Sequence, residues 1–152
     1  MARDGCKNTV SMQPAKDDCI VGSKATTMAK TILVVDDNAY IRRELCKLFK
    51  REEGFEICGE AANGEEAIAK ALELHPDLIV LDLSMPVMNG LDAARELKRL
   101  MPDVPIIMFT SYCDSSTEQQ IRLVGITEVV SKSQPAAILV SKARSLLCRT
   151  AA

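Results

Sequence analysis

The sequence predicts an α/β domain: a doubly wound, five-stranded parallel sheet in the order 2-1-3-4-5. Ile32-Leu33-Val34-Val35 and Leu78-Ile79-Val80-Leu81 are short, uninterrupted aliphatic runs, which fits strands buried on both faces of a parallel sheet. From residue 30 onward, strand-like and helix-like patterns alternate five times. Five such units are too few to close a barrel, so the sheet is expected to stay open, with helices on both faces.

The first strand is expected at about 31–36. Asn38 then caps a helix whose inward stripe is Ile41, Leu45, Leu48 and Phe49, spaced at the helical period. Gly54 closes that region, and Phe55 to Gly59 gives the second strand. Asn63, with Glu66 three residues on, matches a capping arrangement for a helix carrying Ala67, Ile68, Ala71 and Leu72 inward. His75-Pro76 stops it, because proline biases its predecessor away from helical dihedrals. The third strand follows at 77–82. Leu83 to Gly90 reads as a loop from Pro86 and the Asn89-Gly90 pair. Leu91 to Leu100 is helical, turning Ala94, Leu97 and Leu100 toward the core, and Pro102 and Pro105 bracket the turn into the fourth strand, Ile106 to Thr110. A polar stretch from Cys113 to Gln120 leads into a short fourth helix ending near Gly125. The fifth strand is placed at about 126–131. Pro135 suits the first turn of a last helix with Ile138, Leu139, Ala143, Leu146 and Leu147 on its apolar face.

At 152 residues, 47% hydrophobic and 26% charged, the chain has room for one domain, placed at 28–150, plus a tail. Residues 1–27 are mixed in charge and without periodicity; they read as a disordered leader and carry no apolar stretch of signal-peptide length. No run approaches the length of a membrane span. A formal charge of -2 gives no push toward nucleic acid or anionic membrane, and 3% aromatics with no Trp disfavours a base-stacking surface. The six cysteines form no C-x-x-C pair. Cys46 and Cys58 read as small buried hydrophobes, and a reducing cytoplasm is expected.

The chemistry gathers at the carboxyl ends of the strands. The first strand runs into Asp36-Asp37 and the third into Asp82, and the order 2-1-3-4-5 makes these strands neighbours at the switch point where ligands bind. Two unit charges about 5 Å apart repel by roughly 3 kcal/mol at an effective dielectric near 20. A hard, oxygen-only site of this kind suggests Mg²⁺ as the neutralising cation. Thr110 ends the fourth strand and Lys132 the fifth, so a hydroxyl and an ammonium join the carboxylates. Phosphoryl transfer needs mainly positioning and charge stabilisation of equatorial oxygens. The cation, Lys132, and the Thr110 hydroxyl with a backbone N–H near Ser111 would supply these, leaving Asp82 as a nucleophile that forms an aspartyl phosphate. The chain lacks the Gly-rich phosphate loop G-x-x-x-x-G-K-[ST], and its only histidine, His75, falls at the opposite end of the sheet.

These residues carry a resemblance. From about 30 to 149 the chain resembles the receiver domain of bacterial two-component response regulators, of the chemotaxis-regulator kind and flavodoxin-like fold. The likeness lies in Asp36-Asp37, in Asp82 followed by Met85-Pro86 and Asn89-Gly90, in Thr110 and in Lys132. The resemblance implies that Asp82 accepts phosphate from a phosphohistidine on a sensor histidine kinase or phosphotransfer protein. It implies that Asp37 and Asp82 ligate Mg²⁺ directly, Asp36 largely through water, and Ser84 through its backbone carbonyl. Lys132 would pair with the phosphoryl group and Thr110 would swing toward it. Ser84 and Tyr112, each two positions beyond a site residue, would gate water access, with Tyr112 slowing hydrolysis.

Two departures stand out. Receivers commonly carry an aromatic residue three positions before the lysine, where this chain has Val129, so a flipping ring is not the second half of its switch. Lys132 is followed by Ser133, with Pro135 shortly after, as in receivers joined to helix-turn-helix output domains. The leading expectation is a phosphorylation-switched module, not an enzyme, that recruits a partner or a second copy through the face of the fourth helix, fifth strand and fifth helix. Lys142 and Arg144 are candidate contacts there, and no direct nucleic-acid or membrane binding is expected. The competing expectation, a Mg²⁺-dependent small-molecule phosphatase, would favour an acid/base Asp two residues after the nucleophile, where Ser84 stands.

Overall fold

The computed structural model describes residues 29–111, 113–126 and 128–151; the expectations for the 1–27 leader and for Tyr112 lie outside them. Strands β1 (Lys30–Val35), β2 (Phe55–Ala61), β3 (Leu78–Leu81), β4 (Ile106–Thr110) and β5 (Glu128–Ser131) make one sheet in the order β2-β1-β3-β4-β5. All four ladders are parallel. Helices α1 (Ala39–Arg51), α2 (Gly64–Leu74), α3 (Gly90–Leu100), α4 (Ser115–Val124) and α5 (Ala136–Ala151) provide the crossovers and the final element. This is the doubly wound fold the alternating pattern predicts.

The strand period of two divides the core. Ile32, Val34, Leu78, Val80 and Ile107 point to one face, where they meet Leu45 and Phe49 of α1 and Leu139, Ala143 and Leu146 of α5. Leu33, Val35, Ile79, Leu81 and Met108 point to the other, against Ala67 and Ala71 of α2, Ala93, Ala94 and Leu97 of α3, and Ile121 of α4. Burying each large aliphatic side chain contributes about 1.5–3 kcal/mol. Alanine on α2 and α3 lets those helices lie close to the sheet. The core stripe of α2 is narrow for the same reason: Leu72, expected inward, falls beside it and is 45% exposed.

The helix starts follow from their caps. Asn38 Oδ1 accepts from Tyr40 N–H at 2.9 Å, and Asn63 Oδ1 accepts from Glu66 N–H at 2.9 Å. Glu66 reaches back to accept from Ala62 N–H at 2.7 Å, the reciprocal bond of a capping arrangement displaced by one residue. Asn89 and Asp114 cap α3 and α4 in the same way, accepting from Asp92 N–H at 2.9 Å and Thr117 N–H at 2.8 Å. Gly90 therefore belongs to α3 rather than to the preceding loop. Most of the polar stretch 113–120 is α4 itself, a helix that buries only Ile121 and so shows little apolar period. β2 runs two residues beyond its expected end at Gly59, and β5 begins at Glu128.

The β1–β2 ladder slips by one residue. Ile32 pairs with Ile57 but Leu33 pairs with Gly59, leaving Cys58 unmatched in an edge-strand bulge. Among the described residues, the thiols of Cys46, Cys58, Cys113 and Cys148 are free.

Candidate functional site

The parallel pairing of Val35 with Leu81 brings the next residues, Asp36 and Asp82, side by side. Asp82 N–H donates to Val35 O at 2.9 Å and Asp36 N–H to Ala61 O at 3.1 Å, so main-chain bonds fix both carboxylates. Asp37 completes the group: each of the three offers an oxygen within 4.8 Å of the others. On the other side, Lys132 N–H donates to Thr110 O at 2.8 Å, joining the ends of β4 and β5. Asp36, Asp37, Asp82, Ser84, Thr110 and Lys132 all line one cavity of about 390 Å³, together with Asn38, Leu83, Ser111 and Thr117. The sequence-selected residues are thus brought together at one rim, and His75 caps α2 at the opposite edge of the sheet.

The electrostatics are those of a crowded acidic site with one cation. Asp36 is 1% exposed and Asp82 4%. Lys132 Nζ lies 2.7 Å from Asp36 Oδ2 and 3.4 Å from Asp82 Oδ1. Burial raises the Asp82 carboxyl above its ordinary range, the Asp36 charge adds to this, and Lys132 only partly offsets it. Burial pulls the Lys132 ammonium down, but its pairing with Asp36 and then Asp82 outweighs that and holds it above its usual value.

Asp36 is anchored beyond the lysine. Its Oδ1 accepts from Asn38 N–H at 2.9 Å, and its carbonyl accepts from an Arg42 guanidinium nitrogen at 2.7 Å. Arg42 is itself paired with Glu60 at 3.1 Å. Asp36 Oδ2 pairs with the lysine ammonium at 2.7 Å and has no other hydrogen-bond partner among the described residues. A buried oxygen left in that condition beside two further carboxylates fits a hard divalent cation.

A family model described as the response regulator receiver domain matches residues 32–144. The chain belongs to the response regulator receiver family. It is a receiver of the CheY and CheB type, a module of two-component phosphorelay signalling. Chemotaxis protein CheY of Thermotoga maritima is 43% identical over 81 residues, covering 53% of this chain and 67% of that protein. A protein-glutamate methylesterase/protein-glutamine glutaminase of Syntrophomonas wolfei is 37% identical over 107 residues, covering 68% of this chain. The chain spans only 30%, 21% and 20% of the length of three such methylesterase relatives. Among solved structures, the response regulator domain of Thermotoga maritima CheB superposes with a TM-score of 0.73 at 28% identity, covering 78% of this chain and 96% of that one. A chain of the CheX-CheY-BeF3-Mg+2 complex from Borrelia burgdorferi gives 0.75 at 25% identity, covering 80% of this chain and 92% of that one.

Within this receiver, the loop from β3 to α3 is fixed by glycine. Gly90 N–H donates to Leu83 O at 2.7 Å, and a Cβ on Gly90 would lie 2.0 Å from the Asp82 carbonyl oxygen. Gly64 N–H donates to Met88 O at 3.1 Å, tying the same loop to α2. Between them Met88 N–H donates to Pro86 O at 2.7 Å around Val87, whose φ is +69°. That is a three-residue γ-turn of the strained, positive-φ kind.

Sequence reasoning passed over three participants. Thr117 lines the cavity from α4, but its residue stretch carries no apolar period that would place it. Arg42 holds the Asp36 carbonyl, and nothing in a helix of many basic residues singles it out. Gly90 is visible as half of an Asn-Gly pair, but not its contact with Asp82. The two α5 residues named as candidate contacts are engaged within the chain: Lys142 pairs with Glu128 at 2.9 Å, and Arg144 with Glu52 at 3.1 Å. Arg144 also stacks over the Phe55 ring at 4.7 Å. Val129 lines a neighbouring cavity of about 360 Å³ with Thr110, Cys113 and Gln134. No helix among the described residues is long and apolar enough to cross a membrane.

Proposed function

We propose that Asp82 takes a phosphoryl group from the phosphohistidine of a sensor histidine kinase or phosphotransfer protein, and that the aspartyl phosphate switches a protein-binding face. The observation that carries this reading is the Lys132 ammonium, 2.7 Å from Asp36 and 3.4 Å from Asp82 at the floor of an acidic cavity. In the transfer the P–N bond to imidazole breaks and a P–O bond to Asp82 forms, and the imidazole leaves with the electron pair and is protonated. Lys132 would take up one phosphoryl oxygen, and buried Thr110, which lines the same cavity from β4, would offer its hydroxyl to another.

Asp37 and Asp82 would hold Mg²⁺ directly, with Asp36 acting through water and Ser84 contributing its carbonyl. When bound, the cation neutralises the carboxylates and stabilises charge on the phosphoryl oxygens. Asp36 supports this role through its fixed main chain and its buried carboxylate. The receiver unit is taken as 28–150, and the protein acts in the cytoplasm without turning over a free substrate. The face formed by α4, β5 and α5 is the output surface, engaging a partner or a second copy. It does not bind nucleic acid or membrane directly. Because Lys142 and Arg144 are already paired, recognition there rests on other residues of that face.

Incubation of the full chain with acetyl phosphate and Mg²⁺ tests this. A mass gain of one phosphate, lost in Asp82→Asn, is the expected result. Retention of the added mass in Asp82→Asn overturns the assignment.

A further inference from the structure

A cavity of about 460 Å³ between α1 and the edge strand β2 takes no part in the acceptor chemistry. Arg42, Arg43, Lys47 and Lys50 line it, with Glu60 as the only carboxylate among the described residues, in a chain whose formal charge is -2. Helical spacing explains the convergence: Arg43, Lys47 and Lys50 stand at i, i+4 and i+7 of α1, one stripe about 10 Å long. Like charges on one stripe repel, so the arrangement costs stability unless something anionic covers it. The chain itself covers it only in part. Glu60 is committed to Arg42 at 3.1 Å, and Glu44 meets Lys47 at 3.4 Å from an exposed position. Arg43 and Lys50 have no ion pair among the described residues, whereas Arg95, Arg99, Arg122 and Arg144 each have one.

We infer that this cavity is an anion site for a chain of linked phosphate groups, free or as the tail of a nucleotide. Its volume is within the range of small-molecule pockets. A single phosphate would meet only one end of the stripe, whereas linked phosphates set negative charge opposite each cation in turn. Arg42 is already held by Glu60 and by the Asp36 carbonyl at 2.7 Å, so its guanidinium is ordered before a ligand arrives and loses little freedom on binding. Arg43 adds a planar fork able to meet two phosphate oxygens at once. The lining Cys46 thiol stays uncharged at neutral pH, since burial and then Glu60 push it up to about 11. The site is separate from Asp82 and stands whether or not that residue accepts phosphate.

Isothermal titration of the metal-free full chain at constant ionic strength tests this, with tripolyphosphate, ATP and orthophosphate as probes. Tripolyphosphate is expected to bind about tenfold more tightly than orthophosphate. Arg43→Gln and Lys50→Gln should each weaken it about fivefold, and Arg43→Lys should recover most of the loss. Lys70→Gln, on α2, should leave it unchanged. Tighter binding of ATP than of tripolyphosphate supports the site with a nucleotide tail as its ligand; equal or weaker binding supports it with the free chain. Undetectable tripolyphosphate binding, or binding no tighter than that of orthophosphate, overturns the site. An equal fall in Arg43→Gln and Lys70→Gln also overturns it, since it marks a general attraction to charge. Tighter binding of an oligoglutamate of the same charge assigns the cavity to an acidic peptide and overturns the phosphate reading.

Discussion

Lys132 Nζ lies between Asp36 Oδ2 at 2.7 Å and Asp82 Oδ1 at 3.4 Å, so one side chain from the end of β5 neutralises the ends of β1 and β3. Lys132→Met strands two buried carboxylates. In the absence of divalent cation it should lower unfolding free energy by about 2 kcal/mol, less than for a fully buried pair because the lysine is partly exposed. The same change removes a competing positive charge, so Mg²⁺ should bind at least about threefold more tightly. Urea denaturation and a Mg²⁺ titration check the two halves, and unchanged stability would contradict the first.

Asp82 gives the opposite sign. Its folded carboxyl is raised, chiefly by burial and then by Asp36, so the native state holds that proton more firmly than the unfolded chain does. Stability from this group is fully present below the unfolded value of about 3.9 and is lost as pH rises through the folded one. Metal-free Asp82→Asn should therefore be more stable than wild type by about 1 kcal/mol near pH 8. The gap should close on acidification toward pH 4. Denaturant midpoints at the two pH values decide it, and a gap that widens on acidification would show the sign to be wrong.

Gly90 and Gly125 separate steric from conformational cost. A Cβ at Gly90 would lie 2.0 Å from Asp82 O and 2.7 Å from Leu83 Cα, both main-chain atoms that cannot step aside. Gly90→Ala should cost about 3 kcal/mol or more and weaken phosphate uptake by displacing Asp82. At Gly125, φ is +106° and nothing among the described residues lies within 4 Å of the added carbon, so Gly125→Ala should cost about 1 kcal/mol and leave phosphate uptake unchanged. Thermal unfolding alongside acetyl phosphate labelling distinguishes the pair.

Cys46 supplies a check on α1. Burial, followed by the nearby Glu60 charge, pushes its thiol up to about 11. Stability from this group is fully present below the usual thiol value and is lost as pH rises toward 11. Between pH 9 and 11, wild type should lose stability more steeply than Cys46→Ala. Parallel profiles would place Cys46 in a more solvated setting than the packing indicates.

The elements that carry chemistry were legible because each sits at the end of an uninterrupted aliphatic strand. Ile32–Val35 and Leu78–Leu81 are buried throughout, so hydrophobicity alone marks them and the next residue inherits its place. The asparagine caps were legible as well, since capping is a local bond. Less readable were features decided by a neighbour far along the chain. α4 shows no apolar period because only Ile121 is buried, and Leu72 looks like a core residue until Ala67 and Ala71 set the stripe beside it. Lys142 and Arg144 look like free surface charges until Glu128 and Glu52 arrive from other elements.

The offset at Cys58 works as a phase correction. Had β2 kept even step past Ile57, Glu60 would stand opposite Val35, on the side that packs beneath α2 and α3. Arg42 would then have no carboxylate to lean on, and the main chain of the innermost aspartate would lose its clamp. A single supernumerary amino acid at the sheet's outermost edge thereby sets how firmly the acid at its centre is seated.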